Sequence, residues 1–290
     1  MRLVMFDDGR GARLGVLNGK DIADVASGSS FKDVLACCDA GIEAIAELNN
    51  LASSAPKIEL LSVKLCAPIP NPRRNIFCVG KNYHEHAQEF HASGFDSSST
   101  SAVPDLPIVF TKASNTVSGP GDAIPAWLDE TNSVDYEGEL ALVLGKSGRG
   151  ISKEHALNAV FGYTIVNDVT SRTLQGAHKQ WFLGKSIDGF CPMGPTVVTA
   201  DEIPDPTRLR LVTKVNGEAR QDAVVSDLIF DIPTLIWTIS KGISLQPGDI
   251  IATGTPVGVG IGFKPPKFLK RGDVVEITIE PIGTLSNPVM

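Results

Sequence analysis

No stretch of this 290-residue sequence approaches the ~20 consecutive apolar residues of a membrane span. The opening residues, MRLVMFDDGRGAR, place Asp7, Asp8 and Arg10 where a secretion signal needs an unbroken apolar segment. A cytoplasmic protein without membrane contact is expected. A basic excess is also missing. Lys and Arg number 26 against 33 Asp and Glu, a formal charge of −7. A nucleic-acid surface needs clustered cations, so that class of partner is excluded. An acidic chain can bind an anion only locally, with a metal or a few cations. Cysteine is scarce. The five residues Cys37, Cys38, Cys66, Cys78 and Cys191 form no CxxC pair and are odd in number. A disulfide framework and a structural zinc site are thereby excluded, and reduced, buried thiols are expected.

With 42% hydrophobic and 20% charged residues, the chain has the composition of a folded globular protein. Its length allows a large core with a small extra domain. Short strands are expected over residues 2–6 and 14–17, with the hairpin signal Asn18-Gly19. Apolar residues at helical spacing, from Phe31 to Leu48, predict a helix over 31–49 with Ser30 as its cap. A polar, Pro-containing stretch follows. It divides a small N-terminal α+β domain (1–65) from a catalytic domain (66–290). The second part reads as strands with short helices between them. A mobile surface loop is expected over 92–107, and a hairpin at Asn216-Gly217. Asp231 and Pro233 begin a helix that runs to about Lys241. The order of elements is no regular βαβ alternation. A mixed, β-rich α+β fold is therefore predicted, and not a Rossmann sheet.

Tyr136-Glu137-Gly138-Glu139-Leu140 carries the first chemical signal. In a strand, residues i and i+2 face the same way, so Glu137 and Glu139 stand side by side. Apolar neighbours through Leu144 suggest burial, and two buried carboxylates need a cation. Asp168, at the end of another strand, offers a third oxygen. An all-carboxylate set suits Mg²⁺, Mn²⁺ or Ca²⁺ over Zn²⁺. The spacing alone fits a solvated strand face equally well. In the second signal, His86 and Glu89 lie i, i+3 on a helix predicted over 83–91. A carboxylate beside an imidazole makes a general base. A polar surface helix with incidental histidines fits the same spacing. Lys112, Arg172 and Lys185 are isolated cations that suit a carboxylate or an oxyanion, and each also reads as a surface charge. Two glycine patterns carry no nucleotide site. Gly184-Lys185-Ser186 lacks the first P-loop glycine, since position 179 is Lys. The run GTPVGVGIGF has Phe263 where GxGxxG needs glycine. Its glycines instead suit a loop that approaches a ligand closely.

Taken in order, several segments resemble the fumarylacetoacetate hydrolase family. They are Ile76 to Glu89 with Gly80-Lys81-Asn82-Tyr83, the Tyr136 to Leu140 motif, and Phe161-Gly162-Tyr163 through Asn167-Asp168. Arg172 with Gln175, Lys185 with Phe190 to Pro195, and Gly254-Thr255-Pro256 complete the set. The resemblance covers roughly residues 70–289. It implies the family's roll- or barrel-like β-rich catalytic fold, a homodimer, and Mg²⁺ or Mn²⁺ on Glu137, Glu139 and Asp168, with Ca²⁺ as a substitute. It implies that His86 and Glu89 activate water and that Lys185 lies near the reacting oxygens. It implies that Tyr83, Lys112, Arg172, Gln175 and Thr255 touch a small anionic keto-acid substrate.

The activity expected on this basis is hydrolytic C–C cleavage of a 2,4-dioxo acid of the acylpyruvate type, giving pyruvate or a homologue plus a second acid. Oxaloacetate decarboxylation, keto–enol isomerisation or hydration by the same site are the alternatives. So is a homologue that binds metal and ligand without turnover.

Overall fold

The computed structural model describes residues 1–94 and 101–290. Of the loop expected over 92–107, residues 95–100 lie outside the described ones. The chain opens with β1 (Arg2–Asp7), β2 (Arg13–Asn18) and β3 (Asp21–Asp24), an antiparallel meander. Two helices follow, α1 (Val34–Ala40) and α2 (Ile42–Ala52), where the periodicity predicts one. Gly41, at φ +60°, breaks the run, because a left-handed residue ends a helix at low cost only as glycine. Asp33, and not Ser30, caps α1, its carboxylate accepting from Ala36 N at 2.8 Å.

Strands β4 (Lys57–Glu59), β5 (Lys64–Cys66) and β6 (Ile76–Gly80) lead to helix α3 (His84–Ala92), then β7 (Ile108–Lys112) and β8 (Val117–Ser118). Next come β9 (Val134–Asp135), β10 (Gly138–Leu144), β11 (Val160–Asn167) and β12 (Thr170–Ser171). Helices α4 (Arg172–Ala177) and α5 (Phe182–Lys185) precede β13 (Cys191–Thr199). The hairpin β14 (Arg210–Val215) and β15 (Glu218–Val224) turns at Asn216-Gly217. Helix α6 (Ile232–Ser240) is capped by Asp231. Strands β16 (Ile250–Ala252), β17 (Val274–Ile279) and β18 (Gly283–Pro288) finish the chain.

Among the described residues, one mixed sheet runs β4-β3-β2-β1-β13-β11-β10-β16-β6-β7, with β5 on β1 and β8 on β13. A second sheet runs β15-β14-β17-β18. The N-terminal strands join the large sheet through the antiparallel pair β1–β13. Strand β10 shows why its sequence runs apolar without a break from Leu140 to Leu144. Leu140, Leu142 and Leu144 point into a core shared with β14, β17 and α6. Ala141 and Val143 point the other way, into a core shared with α1 and α2. A strand covered on both faces has no polar side to alternate with.

Strand β13 is central yet reads CPMGPTVVT, with two prolines that argue against a central strand. Its ladder with β11 is irregular between Tyr163 and Ile165, next to Gly194-Pro195. The interruption accommodates the residue that cannot donate.

The register of β10 against β11 builds the site. Gly138 pairs with Asn167, and Asp168 N–H donates to Glu137 C=O at 2.8 Å. Three acids from two strands therefore meet at one end of the sheet. Leu142 is fully buried in the strand that carries Glu139 and directly follows Glu137. Leu142→Ala is expected to cost about 2–5 kcal/mol by denaturant unfolding, through lost transfer energy and a cavity. A loss below about 1 kcal/mol would mean that the core collapses freely around β10.

Candidate active site

Glu137, Glu139 and Asp168 are 5%, 1% and 0% exposed. One carboxylate oxygen from each lies within 4.8 Å of the others. Burial of this kind is tolerable only with counter-charge, and three elements deliver it. Lys185 Nζ, at the end of α5, lies 2.7 Å from Glu137 Oε2 and 2.6 Å from Asp168 Oδ2. Lys112 Nζ, at the end of β7, lies 2.7 Å from Asp168 Oδ1. Arg172 Nη1, at the start of α4, lies 2.6 Å from Glu137 Oε1. Glu139 accepts from Gly254 N–H at 2.8 Å and has no salt-bridge partner among the described residues.

The electrostatics follow. Burial pushes Glu137 upward, but Lys185 and Arg172 outweigh it and hold the carboxyl at about 2. Burial pushes Glu139 well above the usual carboxylate range, and the charges of Asp168 and Glu137 push it further. Burial alone would lower Lys185, yet Asp168 and Glu137 raise it, so its ammonium stays protonated. Together with Asp135, four carboxylates face the three cations Lys112, Arg172 and Lys185. Glu139 alone of the four lacks a cationic partner among the described residues, and the all-oxygen set of Glu137, Glu139 and Asp168 fits a hard divalent ion.

Beside the acids lies a narrow cavity of about 10 Å³. His86 of α3 faces it, as do Arg172, Gln175, Lys185 and Thr255. His86 Nδ1 lies 3.1 Å from Glu89 Oε2. With Glu89 accepting from Nδ1–H, Nε2 is left as the basic nitrogen. Arg172 Nη2 is buried and has no hydrogen-bond partner among the described residues. Such a donor is costly unless a ligand satisfies it, and a carboxylate matches it best. Phe90, Phe110 and Trp181 form the apolar wall, with Trp181 edge-on to both phenylalanines.

Residues 75–290 match the fumarylacetoacetate (FAA) hydrolase C-terminal family. The chain belongs to the fumarylacetoacetate hydrolase family. Oxaloacetate tautomerase YisK of Bacillus subtilis is 52% identical over 265 residues, 88% of this chain and 86% of that protein. The solved fumarylacetoacetate hydrolase from psychrophilic Exiguobacterium antarcticum aligns at TM-score 0.87 and 42% identity, over 100% of this chain and 99% of that one. Maleylpyruvate hydrolase from Sphingobium sp. SYK-6, solved with manganese(II) and pyruvate, aligns at TM-score 0.81 and 32% identity, with the same coverage.

Within this family site, the structure gathers Glu137, Glu139, Asp168, His86, Glu89, Lys185, Arg172, Gln175 and Thr255. Two expected substrate contacts stand elsewhere. Lys112 is fully buried behind Asp168, where it also donates to the carbonyls of Val169 and Lys185. Tyr83 lies outside the cavity wall and borders a separate surface pocket with His84, Glu85 and Asp227. His84 and His86 thus face different pockets, as their helical spacing predicts.

Other contributors escape the sequence reading. Asp135 is fully buried and accepts from Arg172 Nε (2.9 Å), Gly260 N (2.7 Å) and Ile261 N (3.0 Å). It extends the i, i+2 row of Glu137 and Glu139, which is its signal in the sequence. Gly80 faces Trp181, whose ring occupies the space of any side chain at that position.

Below the raised value of Glu139, the site holds a proton that an incoming cation must displace. Mn²⁺ affinity is therefore expected to rise with pH, by about tenfold per unit, and to level off above that value. Calorimetric titration in buffers of different ionisation enthalpy should find one proton released per ion. Glu139→Gln should remove both the release and the slope. A pH-independent affinity in the wild type would assign the cation to other ligands.

Proposed function

We propose that the chain is a keto–enol tautomerase of small 2-oxo dicarboxylic acids of the oxaloacetate class. The observation that carries this reading is the cavity, which is small, walled by aromatic rings, and holds a buried base and a buried unpaired guanidinium N–H. His86, Arg172 and Lys185 all line it, so a base, a carboxylate partner and an oxyanion partner converge on one point. The lining offers a small diacid two partners, Arg172 Nη2 for one carboxylate and Lys185 for the 2-oxo end. The Bacillus tautomerase, similar over most of its length, supports the same class.

Tautomerisation moves one proton between C3 and the 2-oxo oxygen. His86 Nε2 takes the proton from C3, and Glu89 on Nδ1 steadies the imidazolium that forms. Lys185, held protonated by its two carboxylates, donates a hydrogen bond to the oxygen as negative charge grows there. His86 Nε2–H then gives that same proton to the oxygen, which completes the enol and returns the imidazole to its neutral form, and the reverse sequence returns the ketone. The aromatic wall limits water near C3, which favours proton transfer over addition. Glu137, Glu139 and Asp168 would hold a divalent cation which, when bound, supplies Lewis-acid stabilisation of the developing charge, worth several kcal/mol.

A second reading is C–C hydrolysis of acylpyruvates, the activity expected from the sequence. The His86–Glu89 pair favours it, because the same base can activate water, whereas decarboxylation needs none. The likeness to maleylpyruvate hydrolase supports it at lower identity.

The two readings separate in one assay. Metal-stripped protein, restored with Mg²⁺ or Mn²⁺, is given enol-oxaloacetate, acetylpyruvate and fumarylpyruvate. The expected result is metal-dependent loss of the enol absorbance of oxaloacetate with little pyruvate released, reduced about 10²–10⁴-fold by His86→Ala. Pyruvate release from the acylpyruvates, faster than tautomerisation, would establish the hydrolase instead. Turnover of none of them would sink both readings.

A further inference from the structure

The glycine-rich loop after β16 touches three parts of the site. Gly254 N–H donates to Glu139 Oε2 at 2.8 Å. Gly258 N–H donates to both oxygens of Glu89, at 3.1 and 3.3 Å. Gly260 and Ile261 N–H donate to Asp135, which also holds Arg172. From below, Tyr136 Oη donates to Gly258 C=O at 2.7 Å. One segment thus fixes an acid of the buried cluster, the partner of the proposed base, and the cation facing the cavity.

Two of its glycines are required for different reasons. Gly258 sits at φ +105°, and a Cβ there would run into the Arg220 carbonyl oxygen. Only glycine is compatible with that backbone. Gly262 is different. It lies in a 3₁₀ turn, Gly260–Gly262, with no left-handed conformation to satisfy. The three nearest atoms to a Cβ at 262 are Oε1, Cδ and Cγ of Glu89. The missing side chain is the space that the Glu89 carboxylate occupies.

We infer that Gly262 and Tyr136 are positioning residues for the proton-transfer pair. Gly262 leaves room for Glu89. Tyr136, through Gly258, fixes the N–H that grips the carboxylate. Glu89, so seated, sets the direction of His86. This inference rests on the reading of His86 and Glu89 as the acid–base pair. Phe90 of α3 packs with Trp181, Val259 and Ile261, so the helix has an apolar anchor on the loop that is independent of Glu89.

Gly262→Ala tests this directly. The added methyl meets the far end of a flexible side chain, so Glu89 moves while the backbone stays. The expected result, on whichever substrate the enzyme turns over, is a fall in kcat close to that of Glu89→Ala. KM and Mn²⁺ affinity should stay within about twofold of wild type. The double variant Gly262→Ala/Glu89→Ala should be no slower than Glu89→Ala alone, because two changes acting through one contact do not add. Tyr136→Phe, which keeps the ring and removes only the hydroxyl, should lower kcat several-fold. It too should have no further effect once Glu89 is Ala. If Gly262→Ala unfolds, the Tyr136→Phe cycle decides alone. Losses that multiply in the double variants, with His86→Ala inactive, would overturn the inference. Full activity of His86→Ala would overturn the acid–base reading itself.

Discussion

Four carboxylates, Asp135, Glu137, Glu139 and Asp168, are buried together beside β10 and β11, and the surrounding architecture answers to the free energy of that burial. An uncompensated buried charge is among the most destabilising features a fold can contain. Here the compensation comes from places far apart in sequence. Lys112 arrives from the end of β7, Arg172 from α4 and Lys185 from α5. Each must be delivered by a correctly packed element, so folding and site assembly are one process. Removing one partner of such a pair typically costs about 3–5 kcal/mol, because the other charge is stranded.

The same electrostatics separate the roles of similar side chains. Glu137 has two cations against it and stays ionised. Glu139, two residues on, has a backbone N–H and two acidic neighbours, and is pushed the other way. Lys185 bridges two acids and faces the cavity, whereas Lys112 is wholly engaged behind Asp168. The glycine loop adds a mechanical link between these charges and α3, because the segment that touches Glu139 also holds Glu89, the partner of His86.

Much of this was legible in the sequence, because the signals were local. The i, i+2 pair of Glu137 and Glu139, the i, i+3 pair of His86 and Glu89, the Asn216-Gly217 hairpin and the Asp231 cap all depend on neighbours within a few residues. What escaped depends on contacts between distant residues. Strand β13 carries prolines, and only its partners on both sides make it a strand. The helix expected over 31–49 is split by Gly41, a residue that apolar periodicity cannot weigh. Lys112 reads as a free cation until the fold sets it against Asp168, 56 positions away. Gly262 reads as part of a loop that approaches a ligand closely until Glu89, from a different part of the chain, is seen to fill its space.

The central claim is that the buried carboxylates are a divalent-cation site and not a purely structural charge cluster. Anomalous diffraction from crystals grown with Mn²⁺ tests it most directly. The expected result is one strong peak in contact with Glu137, Glu139 and Asp168, absent in Glu137→Ala. A well-ordered structure with no peak there, or with its peak on other residues, would contradict it.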